Sequence, residues 1–326
     1  MANIIVIDAL WGDCGAKNIC FQMSHNYDWQ VRYNCQNKTT IINNKFKYKY
    51  LPCVNYKNSK TKSFLSENMK INLQELFLEI LQFEKYFPGM AKNIYIDPNL
   101  FIIDKQFIGK LSILIEQNSQ EILKLKQIGV NFISLSLLID DFKKSNILFE
   151  NDVDILKDIN SNNIIFSEDF KNSIKLSGFN FITIDKIYGV IAPYLTKNND
   201  KFLHTKIITN STNSQDNASK QIGWLDFVLL KFIINKVGIS HLILNKLNNI
   251  IHLKEIGVAV FYANPEIKME ILTDIDPLKN FNKLKNFVVI YEIVSMWKNL
   301  DDENIKKFIY LCEDITKIKI EHIFWN

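Results

Sequence analysis

Arginine is almost absent from this chain. Arg32 is the single arginine in a Lys+Arg total of 39. Guanidinium grips carboxylate or phosphate with two prongs and lysine only as a point charge, so fork-type anion sites are largely excluded. Glycine and proline are scarce too, at 10 and 6 of 326 residues. Lysine, asparagine, isoleucine and phenylalanine crowd the remainder. This reads as a bias toward AT-rich codons, and the net charge of +4 then needs no basic-seeking partner. Charges of both signs are interspersed, which argues against a nucleic-acid patch. The five cysteines are odd in number and lack C-x-x-C spacing, so neither a disulfide framework nor a zinc site is supported. No apolar run reaches membrane-spanning length. The N-terminus lacks the charged region, apolar stretch and small-residue cleavage site of a secretion signal, which leaves the cytoplasm as the expected location. With 47% hydrophobic and 23% charged residues, the composition is that of a soluble globular protein. The length suffices for a sizeable core.

What is present is organised around the first stretch, Asn3 to Asn18. The β-branched run Ile4-Ile5-Val6-Ile7 reads as a buried strand. A turn with Gly12 and Gly15 follows, and from Lys17 onward Ile19, Cys20 and Met23 fall at helical spacing. Strand, glycine turn and helix form a P-loop-like arrangement that aims backbone N–H groups and the helix dipole at one spot. Asp13 is a candidate base or metal ligand there, and Lys17 a candidate phosphate partner. The pattern lacks the last glycine and the Ser/Thr of a full phosphate loop. Capping of the helix alone also accounts for a glycine and an aspartate at such a turn.

Further along, strands are expected over 29–33, 94–97, 101–104, 163–166, 239–244, 256–262, 287–292 and 318–324, those at 94–97, 101–104 and 163–166 as buried strands, and a hairpin over 41–51. The spacing predicts helices over 71–86, 106–128, 135–142, 152–159, 227–237 and 304–315. Residues 179–184 alternate as a strand does, 188–196 suit helix or strand, and the polar 208–220 reads as a long loop. No repeat or clear linker appears. The expected fold is α/β, a mostly parallel central sheet flanked by helices, in one domain over 1–326.

Several stretches in order resemble the adenylosuccinate synthetase family. Trp11-Gly12-Asp13-Cys14-Gly15-Ala16-Lys17-Asn18 is similar to its Trp-Gly-Asp-Glu-Gly-Lys-Gly-Lys signature, and Val31-Arg32-Tyr33 to its Val-Arg-Tyr. Phe179-Asn180-Phe181-Ile182-Thr183 resembles Tyr-Pro-Tyr-Val-Thr, and Gly189 to Thr205 follows the family's Gly-Ile-Leu-Lys-Ala-Tyr to Phe-Pro-Thr course. Gly223-Trp224-Leu225-Asp226 is identical to a family landmark. Leu244-Asn245-Lys246-Leu247-Asn248 stands where the family has Leu-Thr-Lys-Leu-Asp, and Tyr291-Glu292 with Trp297 matches its Tyr-Glu…Trp.

The resemblance implies a GTP-dependent ligase that joins IMP and L-aspartate, works with Mg²⁺ in the cytoplasm as a homodimer, and acts on neither nucleic acid nor membrane. It implies that Asp13 is base and metal ligand, that residues 12–18 (Gly12, Asp13, Cys14, Gly15, Ala16, Lys17, Asn18) and Thr40 bind nucleotide, and that Thr183 contacts the IMP phosphate. It implies that Lys246 packs along the guanine ring, with Asn248 where an aspartate reads that ring. An amide accepts only through its oxygen, which predicts weakened guanine selectivity.

The departures are specific. The family's Gly-Gly-His-Asn-Ala-Gly-His-Thr loop is here Asn34-Cys35-Gln36-Asn37-Lys38-Thr39-Thr40, without the general-acid histidine. The arginine-rich loop before Gly-Trp-Leu-Asp has become Asp216-Asn217-Ala218-Ser219-Lys220-Gln221-Ile222. Lys38 and Lys220 are candidate replacements, as substrate-binding point charges. Two readings stand at this point: a shortened synthetase, or a relative that keeps the fold without the chemistry and binds nucleotide or a partner.

Overall fold

Burial on both faces explains β1 (Asn3–Asp8). Ile4, Ile5, Val6 and Ile7 are all within 1% of complete burial, as a β-branched run in the middle of a parallel sheet requires. The computed structural model describes residues 2–10, 14–34, 39–42, 45–57, 60–105, 107–151, 156–160, 163–166, 174–198, 205, 220–264, 271–272 and 287–325. Among these, nine strands make a mostly parallel central sheet flanked by helices. The chain divides into two compact units that use its length in alternation. The first takes Met1–Ile7, Ala16–Val153 and Glu168–Lys186, and the second Asp8–Gly15, Asp154–Ser167 and Ile187–Asn326.

In the first unit β1 is followed by α1 (Ala16–Met23), β2 (Trp29–Arg32), β3 (Thr40–Ile42), β4 (Phe46–Tyr48), β5 (Lys62–Leu65) and β6 (Lys70–Ile71). Then come α2 (Leu73–Tyr86), β7 (Ile94–Ile96), β8 (Phe101–Ile103), β9 (Ile108–Lys110), α3 (Leu111–Glu116) and α4 (Gln120–Gln127). β10 (Asn131–Phe132), α5 (Leu135–Lys143) and β11 (Ile147–Glu150) complete the series. Its part of the sheet runs β10-β7-β5-β2-β11-β1, every neighbour parallel. β3 and β4 form the expected hairpin, with Thr40 opposite Tyr48. Helix α2 starts where the Asn72 side chain accepts from Glu75 N–H, a cap that satisfies one of the first-turn donors. It buries Leu73, Leu76, Ile80 and Phe83 along one face. Trp29, Phe64, Phe142, Phe149 and Phe179 pack into one aromatic cluster.

The second unit contains β12 (Leu156–Asn160), β13 (Asn163–Phe166), β14 (Lys186–Ile191), β15 (Tyr194–Asn198), β16 (Lys220–Asp226) and α6 (Phe227–Val237). β17 (His241–Leu244), β18 (Glu255–Ala263), β19 (Ile271–Leu272), β20 (Val288–Ser295), α7 (Glu303–Thr316) and β21 (Ile320–Ile323) follow. β14, β17 and β21 pair in parallel, while β15-β16-β18-β19, with β20 also on β18, is a separate sheet. The landmark Asp226 proves to be the cap of α6, accepting from Leu229 N–H at 3.0 Å and from the Tyr262 hydroxyl. Burial pushes its pKa up to about 6.

Four expectations need correction. Residues 156–159, expected as part of a helix, belong instead to β12, which pairs antiparallel with β13; residues 152–155 lie outside the described residues. The stretch 106–128 is no single helix but β9, α3 and α4, broken where Asn118 takes φ 50° and Ser119 caps the next helix. Residues 179–184 are not a strand; they follow a short π-helical turn, Lys175–Phe179, that contains Gly178 at φ 86°. β8 is a strand as expected but not a buried one, since Phe101 and Ile103 stay 36% and 45% exposed around a buried Ile102. The loop 208–220 lies outside the described residues apart from Lys220, the first residue of β16.

Candidate functional site

The turn after β1 meets the end of β17 within the second unit. Asn245 leaves β17 with its N–H on the Ile191 carbonyl at 3.0 Å. Its side-chain Nδ2 donates to the Cys14 carbonyl at 2.9 Å, and Asn245 itself is fully buried. Gly15 sits at φ +97°, and a Cβ there would collide with the Asn245 amide. Both conditions require glycine: the backbone is left-handed, and no space remains for a side chain. The same hypothetical Cβ would lie 3.5 Å from Lys246 Cε. Lys246 is also left-handed, at φ 58°, a conformation that costs a side-chain-bearing residue on the order of 1–2 kcal/mol. Strain of this kind persists where the surroundings fix it, and it clusters at ligand clamps.

Two stretches singled out from the sequence, Cys14-Gly15 and Lys246-Asn248, are therefore brought together. Asn248 follows in the short 3₁₀ turn Leu247–Ile250, and its Oδ1 is a buried acceptor without a hydrogen-bond partner. Asn245 Oδ1 is another. Buried polar atoms are nearly always paired, so two bare carboxamide oxygens within four residues mark a place where a ligand's donors would be welcome. Asn245 was missed by sequence reasoning. Its local signal, an asparagine at the end of an apolar strand, is that of any polar turn.

In the first unit, Ala16, Lys17 and Asn18 form the first turn of α1. The Lys17 ammonium is buried, and its charge reaches Cys53, whose thiol is pushed up by burial and by Glu150 and pulled down by Lys17 and Arg32. Arg32 is wholly buried. It donates from Nη1 to the Leu51 carbonyl at 2.9 Å, and its Nε lies 4.0 Å from Glu150 Oε1. Glu150 Oε2 accepts from Gln30 Nε2 at 2.9 Å and from Cys53 N–H at 2.7 Å. The lone guanidinium is thus part of the core.

Just past the carboxyl ends of β2 and β11, Asn151 Oδ1 accepts from Asn34 Nδ2 at 2.7 Å and from Tyr33 Oη at 3.3 Å. Carboxyl ends of parallel strands are where open α/β sheets bind ligands. Thr40 lies in the β3–β4 hairpin. Thr183 is exposed, and its carbonyl accepts from Asn3 Nδ2 at 3.1 Å. That contact places it at the start of β1, the end away from the turn that follows Asp8. Gly12, Asp13 and Lys38 lie outside the described residues, and nothing is described of Lys220 beyond its backbone in β16. Among the described residues, no three His, Cys, Asp or Glu side chains gather as a metal cluster, and no helix is long and apolar enough to cross a membrane.

Comparison with known proteins identifies the family and the fold. The family model for adenylosuccinate synthetase matches residues 110–323. Adenylosuccinate synthetase of Petrotoga mobilis is 22% identical over 410 residues, covering 100% of this chain and 96% of the relative. That of Finegoldia magna is 20% identical over the same length, with the same coverage of both chains. Among solved structures, fully ligated adenylosuccinate synthetase from Plasmodium falciparum superposes with a TM-score of 0.74 at 18% identity, over 99% of this chain and 96% of that one. The succinoaminodeoxyadenylate synthetase of cyanophage S-2L, bound to dGMP and to dATP as an energy donor, gives a TM-score of 0.54 at 11% identity, over 76% and 85% of the two chains. With a family match over most of its length and a shared fold, the chain belongs to the adenylosuccinate synthetase family.

Proposed function

We propose that this protein joins IMP to L-aspartate at the expense of a nucleoside triphosphate, forming adenylosuccinate. The observation that carries the reading is the contact of the Cys14-Gly15 turn with Asn245-Lys246, beside the partnerless Asn248 oxygen. One corner then offers backbone at a glycine turn, an ammonium stem for a base to pack on, and an acceptor for the edge of that base. In this proposal Asp13 takes the N1 proton of IMP, so that the 6-oxygen becomes the nucleophile toward the γ-phosphorus. Lys38 and Lys220 supply positive charge to the anionic substrates, because Arg32 is committed to Leu51 and Glu150. Mg²⁺ is commonly held by one or two carboxylates plus substrate phosphates, and in this proposal Asp13 is its protein ligand. When bound, the ion spreads the phosphate charge. The homodimer and the cytoplasmic location belong to the same proposal.

The identity of the donor is a second question, raised by Asn248. An aspartate accepts from the two donors on the guanine edge, whereas an amide offers one acceptor and one donor. That pair suits adenine, which presents a donor and an acceptor side by side. The likeness to the cyanophage protein, bound to dATP as an energy donor, supports this reading. A single assay tests both points. Purified protein with IMP, aspartate and Mg²⁺ should give adenylosuccinate by ultraviolet absorbance, Asp13→Ala should abolish it, and ATP should support it within about tenfold of GTP, or 1.4 kcal/mol. No product with any triphosphate at high enzyme concentration favours the catalytically silent relative. A GTP preference of a thousandfold would show that Asn248 reads guanine alone.

A further inference from the structure

A pocket in the first unit stands apart from the residues assigned to this reaction. It has a volume of about 730 Å³ and lies between α1, the β3–β4 hairpin and the turn after α2. That size is within the range of small-molecule sites. Its walls are rings: the Phe46 centroid is 5.2 Å from Phe87, 5.6 Å from Tyr86 and 6.5 Å from Phe21, and Tyr56 is 6.3 Å from Phe87. Its cations are Lys45 and Lys57. Lys45 Nζ stands 4.3 Å from the Tyr86 centroid. Among the described residues, neither lysine has a carboxylate within ion-pair distance.

The nearby acid is otherwise engaged. Glu84 accepts from Gly89 N–H and, at 2.9 Å, from Ala91 N–H, which turns its charge into the Pro88-Gly89 loop and fixes that rim. Gly89 itself is left-handed at φ +86°, with nothing within 4 Å of where a Cβ would stand, so the rim is open. On the other side Asn55 Oδ1 accepts from Lys57 N–H at 3.3 Å. Its amide N–H₂ then has no partner among the described residues.

We infer that this pocket binds a flat aromatic ring carrying a negative group. The ring lies against the Phe46, Tyr86 and Phe87 faces, where offset and edge-on packing is favourable. The anionic group meets Lys45, Lys57 and the Asn55 amide. An aromatic cation is excluded by the same two lysines.

Titration calorimetry with 2-naphthalenesulfonate tests this, with 2-naphthalenemethanol as the neutral ring and methanesulfonate as the anion without a ring. The sulfonated ring should bind, the neutral ring at least tenfold more weakly, and methanesulfonate not detectably. In the Lys45→Ala/Lys57→Ala variant the affinity for the sulfonated ring should fall at least tenfold with the melting temperature unchanged, since both side chains are exposed. Saturating GTP should leave it unaltered. Equal binding of the neutral ring, an unaltered affinity in the double variant, or competition by GTP would each overturn the assignment. None of these results depends on whether adenylosuccinate is formed.

Discussion

Asn245 ties together residues 231 positions apart through one hydrogen bond to Cys14. Replacing it by aspartate keeps the shape and removes the donor, leaving a carboxylate facing a carbonyl. Loss of a buried hydrogen bond with one partner stranded costs roughly 1–3 kcal/mol. The turn should then loosen, and Asn245→Asp should weaken GTP binding about tenfold or more in calorimetry, while circular dichroism stays that of the wild type. An affinity within twofold of wild type would remove Asn245 from the binding machinery. Gly15→Ala should be worse, because it adds a collision to an unfavourable φ. Part of this site was legible in the sequence. A glycine after an apolar strand announces a tight turn by itself, and Gly15 was found that way. The weight of Asn245 depends on what lies against it, and no local pattern encodes a contact across most of the chain. Arg32 shows the converse. Its type and its place in Val31-Arg32-Tyr33 were plain in the sequence, yet nothing local showed that it serves the buried group around Glu150.

Helix α2 carries a titratable group on its buried face. Glu79 accepts from the N–H groups of Lys49, Tyr50 and Leu51 at 2.9 to 3.2 Å. Burial nevertheless outweighs those bonds and pushes its pKa up to about 7. A carboxyl raised on folding binds its proton more tightly in the native state. The stability it confers is therefore complete below the unfolded value, near 4.5, and is lost as pH rises through about 7. Asp226, raised to about 6, acts in the same direction. Stability measured by urea unfolding should fall between pH 5 and 8, by up to about 3 kcal/mol from Glu79 at 1.36 kcal/mol per pKa unit. Glu79→Gln should flatten that slope, although it surrenders bonds at every pH. A slope identical in the variant would place the titration elsewhere. Elements on this scale were legible where the apolar pattern is plain: a continuous β-branched run in β1, and in α6 an apolar stretch broken only at Lys231, Asn235 and Lys236. The hairpin β12–β13 was not. Val153, Leu156 and Ile159 fall at helical spacing in the sequence, whereas Leu156–Asn160 pairs antiparallel with Asn163–Phe166. Phe179 and Phe181 likewise imitate strand alternation, whereas Phe179 is held by Phe64, Phe142 and Phe149.

At the scale of the whole molecule, the two units are not consecutive pieces of chain. Residues 8–15 and 154–167 belong with 187–326, and each is flanked by segments of the other unit. A fragment of residues 187–326 should accordingly fail to bind GTP when expressed alone, because it carries Asn245 and Lys246 without the turn they meet. Co-expression with residues 1–186 should restore binding in a pull-down on immobilised GTP, and restoration by the C-terminal fragment alone would contradict the alternation. The same interleaving sets a delay during synthesis. Cys14 leaves the ribosome early, and the amide that holds its carbonyl is made 231 residues later. At roughly 5–20 residues per second, that partner follows by about 10–50 s. For all of that time the Cys14 carbonyl waits for the Asn245 amide, and the corner that the proposed function assigns to nucleotide is assembled only when both halves of that bond exist.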